Sequence, residues 1–93
     1  MPGPYTITIT PGLSAGGEFK GHLEYLNFTA VSETDTQKWW SVNTGTLSED
    51  FRNVLGDAGP PMLEHLQKGH TVIFTAGFDL DAIKQKIGGA GND

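Results

Sequence analysis

The chain has 93 residues, no cysteine, 37% hydrophobic residues and a net charge of −5 from 11 acidic and 6 basic side chains. That length makes one domain, because shorter pieces could not bury a useful core without metals or disulfides, and the lack of cysteine excludes disulfides, thiolate catalysis and Cys-ligated zinc or iron. The six basic residues (Lys20, Lys38, Arg52, Lys68, Lys84 and Lys86) are scattered, so no cationic stripe exists to track nucleic-acid phosphates or an anionic membrane surface.

Tyr5 to Thr10 alternates aromatic or aliphatic residues with Thr, the pattern of a strand whose Tyr5, Ile7 and Ile9 face the core. Its uncharged β-branched composition and flanking Pro4 and Pro11 read as an edge strand, open to recruiting a partner strand through Tyr5, Thr6 and Thr8. Pro11 to Gly21 holds four glycines and reads as a loop. It lacks the Gly-Lys-Ser/Thr of a Walker loop and the spacing of a dinucleotide fingerprint. Between His22 and Val31 the apolar phase flips at Tyr25 and Leu26, which a β-bulge would produce, as would burial of both faces.

After the polar turn Ser32 to Thr36, a third strand runs from Gln37 to Thr44 through Trp39 and Trp40. Successive strand residues point to opposite faces, so the two indoles part company. Val42 shares a face with Trp40, which predicts Trp40 inward and Trp39 on the other side, under a helix, a subunit or a ligand. Gln37-Lys38-Trp39 resembles the Gln-x-Trp element of β-trefoil lectins, but the element occurs once, in a chain too short for three trefoil lobes.

Thr46 and Glu49 offer a capping box, and Ser48 a second N-cap, for a short helix with Phe51, Val54 and Leu55 on one face and Gly56 at its end. Pro60 and Pro61 suit the start of a second helix, with Met62, Leu63 and Leu66 apolar and Gly69 as its stop. His70 to Ala76 is continuously apolar in its middle, which predicts a central strand buried on both faces. Asp79 then caps a last helix with Leu80, Ile83 and Ile87 in one stripe, and the tail from Gly88 to Asp93 has nothing to bury and reads as disordered. Three strands, two helices, a strand and a helix predict an α+β fold: one antiparallel or mixed sheet of about four strands, with two or three short helices on one face. A mostly-β sandwich is the alternative.

For chemistry, the three histidines show no metal-binding spacing. The nearest metal candidate is Glu64 with His65 and His70, and no metal or cofactor is expected. No serine has a nucleophile setting. The expectation is a cytoplasmic interaction module with a protein partner, as an inhibitor, immunity, regulatory or assembly factor, in which Trp39, Tyr5, Thr6 and Thr8 form the contact and homo-oligomerisation is open. The alternative is a small oligomeric enzyme or ligand binder, with a pocket near Trp39, His65 and His70 at a subunit interface.

Overall fold

The computed structural model describes residues 4–43, 45–76, 80–88 and 91–92, with backbone alone at 88, 91 and 92. Strands β1 (Tyr5–Leu13), β2 (Leu23–Val31), β3 (Thr36–Val42) and β4 (Val72–Ala76) form one antiparallel sheet in the order β4-β1-β2-β3. A two-residue strand β5 (Gly91–Asn92) is added at the β3 edge. Helices α1 (Leu47–Leu55) and α2 (Gly59–Gln67) lie between β3 and β4 in the chain. Helix α3 (Leu80–Ile83) runs on into a π-helical turn, Lys84–Gly88. The fold is a compact single α+β domain, and no helix among the described residues is long and apolar enough to cross a membrane.

The alternation in β1 gives a strand with Tyr5, Ile7 and Ile9 buried. Its lateral position differs from the expectation. β1 is not an edge: it pairs with β2 from Thr6 to Leu13 and with β4 from Tyr5 to Ile9. Pro11 does not end it, because the last β4 pair is Ile9 with Val72 and the missing N–H costs no ladder bond on that flank. β4, expected to be central, is the edge strand, and its Ile73 is 65% exposed. A continuous apolar run reports burial only if both faces are covered, and here only one is.

The phase flip in β2 is a bulge. Gly12 pairs with Tyr25 and Leu13 with Leu23, leaving Glu24 as the extra residue. Consecutive Glu24 and Tyr25 are both exposed in consequence. Leu26, Phe28 and Ala30 then point inward and Asn27, Thr29 and Val31 outward, with Thr29 half-buried.

The core lies between the sheet's inner face and the helices. Cross-strand neighbours Val72, Ile9, Phe28 and Trp39 form one row across all four strands. α2 packs on β1 and β4, the π-helical turn packs on β3, and α1 bridges α2 and that turn. Leu47 and Phe51 of α1, Leu63 and Leu66 of α2, and Leu80, Ile83 and Ile87 of the last helix are buried from above. Val54, Leu55 and Met62 are only partly buried at the margin.

Thr46 is the N-cap residue of α1, but no capping box forms: the Thr46 hydroxyl donates to Asp50 (2.9 Å). Gly56 ends α1 at φ +66°, a conformation side-chain-bearing residues rarely adopt. Gly59 lies so close to the Phe51 carbonyl that a Cβ there would overlap it, which lets α2 fold back tightly on α1. The expected Asp79 cap lies outside the described residues, as do 89, 90 and 93 of the tail, whereas Gly91 and Asn92 pair with Trp40 and Trp39.

Candidate functional site

The tandem tryptophans divide between the faces in the sense opposite to the expectation. Trp39 is the inward residue, 3% exposed, and Trp40 is outward, 39% exposed with Val42 beside it at 42%. Register decides this: Trp39 stands opposite Phe28, and their rings stack with centroids 4.8 Å apart and planes 4° from parallel. The cover over Trp39 comes from the chain's own last helix, whose Lys84 ammonium sits 5.5 Å from the ring centroid. Gln37 and Ser41 share the inner side with Trp39, and their polar groups are satisfied there. The Gln37 amide donates to Asp35 (2.8 Å) and accepts from Lys84 (2.9 Å), while the Ser41 hydroxyl donates to the Val42 carbonyl (3.5 Å). The Trp39 indole N–H, by contrast, is buried without an acceptor among the described residues.

Tyr5 is buried as well, and only its hydroxyl reaches the rim, donating to Asp35 (2.8 Å) in the β2–β3 turn. That hydrogen bond raises the Tyr5 phenol above its ordinary value. The Gln37 and Tyr5 donors hold the Asp35 carboxyl below its own. Tyr5, Asp35, Gln37 and Lys84 therefore form a hydrogen-bonded chain that ties the last helix to the sheet across the edge of Trp39. This arrangement closes the core, and its Gln37 and Lys84 also border, with Thr36 and Lys38, an open hollow of about 410 Å³.

Of the four residues expected to meet a partner, Trp39 and Tyr5 are thus corrected to core positions. Thr6 and Thr8 do point to the sheet's outer face, Thr6 exposed and Thr8 half-buried. Among the described residues no helix covers that face. Its rows, read across β4, β1, β2 and β3, are Thr75, Thr6, Val31 and Thr36, then Ile73, Thr8, Thr29 and Lys38. The next rows, on β1, β2 and β3, are Thr10, Asn27 and Trp40, then Gly12, Tyr25 and Val42. One of these side chains, Lys38, is charged. Tyr25 lies over Gly12, which leaves room for the ring flat on the backbone. Glu24, Tyr25, Asn27, Trp40 and Val42 line a shallow open hollow of about 350 Å³ at this end of the face. Trp40 is the residue missed from sequence, and its signal was present in the Tyr25, Asn27 and Thr29 set that it joins once β2 and β3 are in register.

Two other places hold chemistry-bearing side chains. A hollow of about 660 Å³ at the glycine-rich loop is bounded by Ser14, Glu18, His22, Glu24 and Asn43, among others. The Ser14 hydroxyl bonds the Gly16 carbonyl (3.3 Å) rather than His22, so no nucleophile and base are paired there. His65 and His70 meet across the turn after α2, Nδ1 to Nδ1 at 3.4 Å, while Glu64 is held by Lys68 (3.2 Å). Among the described residues no three His, Asp or Glu side chains converge in a metal-holding group. Trp39 on β3 is separated from these histidines by β1 and β2, so the pocket expected from Trp39, His65 and His70 is not assembled within one chain. No protein-family model matches the sequence, and neither a curated protein nor a solved structure matches it.

Proposed function

We propose that the chain is a protein-binding module that docks through the open face of its sheet, with Trp40 as the anchor. The observation that carries this reading is the composition of that face: Trp40, Tyr25, Val42, Val31 and Ile73 are exposed on it, and its charges are Lys38 and, at one end, Glu24, in a chain where 18% of residues are charged. Depletion of charge around accessible aromatic side chains distinguishes interface cores from ordinary surface, and Trp and Tyr supply much of the binding energy where they are found. Threonines between the apolar residues keep the face soluble when it is unoccupied.

A photo-crosslinking amino acid placed at position 40 tests this directly, with the same group at exposed Glu49 of α1 as the control. In the native host, position 40 is expected to yield a discrete protein adduct that position 49 does not. Equal, diffuse labelling from both positions refutes the docking face.

A further inference from the structure

Resting on that reading of the open face, we infer that its occupant is a second copy of this chain, packed sheet to sheet about a two-fold axis. The first argument is charge. Lys38 is the face's one cation, and Glu24, made accessible by the bulge, stands at its other end beside Tyr25 and Val42. Neither has an ion-pair partner among the described residues.

An isologous contact opposes a patch to itself. With the two-fold axis crossing the strands near Trp40, β3 of one copy runs antiparallel over β3 of the other. Trp40 then meets its own equivalent, and Lys38, two residues to one side, lies over Val42, two residues to the other. Glu24 is adjacent, on the neighbouring strand, so the lysine and glutamate side chains together can meet across the ~10 Å between stacked sheets. The symmetry makes this ion pair twice.

The second argument is the sequence of β4. His70 to Ala76 is written as a strand buried on both faces, yet a single copy leaves Ile73 65% exposed. Under this symmetry the Ile73 row lies over the partner's Gly12–Tyr25–Val42 row, whose β1 end supplies part of the missing cover. The third argument is area. The rows that overlap under this symmetry, those of Lys38, Trp40 and Val42, span about five residues at about 3.3 Å each on three strands about 4.8 Å apart, roughly 240 Å² in projection. That is at the small end beside the ~800 Å² of accessible surface per partner in a standard interface, so the dimer is expected to be reversible.

Sedimentation equilibrium over a concentration series is the test, with thermal melting by circular dichroism as the control for folding. The expected result is a monomer–dimer equilibrium in the micromolar range, weakened tenfold or more by Trp40→Ala. Lys38→Glu and Glu24→Lys alone should each weaken it threefold or more, and the double exchange should restore it to within about twofold of the original. A monomer up to about 1 mM, or a dimer indifferent to Trp40→Ala, overturns the inference, as does failure of the double exchange to restore association. The crosslink at position 40 separates the two claims. An adduct of twice the chain's own mass supports both, one with a different protein keeps the docking face and removes the homodimer, and no specific adduct removes both.

Discussion

The two faces of the one sheet carry one tryptophan each from the same dipeptide, and the surroundings of the two indoles differ in every respect that matters for stability. Trp39 is stacked on Phe28 and covered by the last helix, whereas Trp40 stands among Asn27, Thr10 and Val42 with no side chain of the helical layer over it. An aromatic residue thus contributes to folding or to docking according to which side of a strand it falls on, and a shift of one residue in register would exchange the roles.

The largest expected effect breaks this comparison if it fails. Trp39→Ala should destabilise the domain by about 3–5 kcal/mol, the usual range for removing a buried aromatic, which approaches the whole stability of a domain this size. Trp40→Ala should change it by less than about 1 kcal/mol. Urea unfolding followed by far-ultraviolet circular dichroism measures both. Equal losses would mean that the outer face belongs to the folded monomer's core. Trp39→Phe sharpens the inner side further. It keeps a ring against Phe28 and removes the buried indole N–H that has no acceptor among the described residues, so it should cost well under half of what Trp39→Ala costs.

A middle-sized effect contrasts two glycines. A Cβ at Gly59 would strike the Phe51 backbone carbonyl, which cannot move without parting α1 from α2. Gly59→Ala should therefore cost about 1–3 kcal/mol. A Cβ at Gly12 would meet only the ring of Tyr25, the far end of a rotatable side chain on the open face. Gly12→Ala should cost less than about 1 kcal/mol, while moving the tyrosine out of its resting place and weakening whatever docks there. Urea unfolding measures the first pair of values, and the crosslinking yield at position 40 the second. A Gly12→Ala variant as unstable as Gly59→Ala would show that Tyr25 is fixed rather than free to yield.

The element types were legible because they rest on local patterns: Thr alternation in β1, helix stops at Gly56 and Gly69, and the Leu80, Ile83 and Ile87 stripe. What local pattern does not hold is lateral order. Alternation in β1 states that one face is buried and is silent on whether both flanks are paired, so the strand with polar threonines proved central and the apolar β4 proved to be the edge. Inward and outward on β3 run opposite to the expectation from Val42, because apolar Val42 and Trp40 lie on the open face while polar Gln37 and Ser41 lie inside with Trp39. Gln37 and Ser41 look solvent-bound until Asp35, Lys84 and the Val42 carbonyl are brought to them by folding. Since the expectation places Tyr5 and Trp39 in the contact on those two points, only Thr6 and Thr8 of the expected set remain on the exposed side.

The smallest expected effect concerns the rim where the covered face meets solvent. Asp35 is held below its ordinary value by donors from Gln37 and Tyr5, so its ionised form is favoured in the folded state. Its contribution is present above the unfolded-state value of about 3.9 and is lost as pH falls through the folded value. Tyr5 is raised by donating to Asp35, so its protonated form is favoured. Its contribution is present below about pH 10 and is lost as pH rises through the folded value. Stability should therefore sag at both extremes, and Tyr5→Phe should flatten the alkaline side while leaving most of the acidic side, because Gln37 still donates to Asp35 (2.8 Å). Thermal melting points across pH 2–11 for the two proteins test this. An alkaline sag unchanged in Tyr5→Phe would assign it to another group and leave the Tyr5–Asp35 bond with no part in closing the inner face.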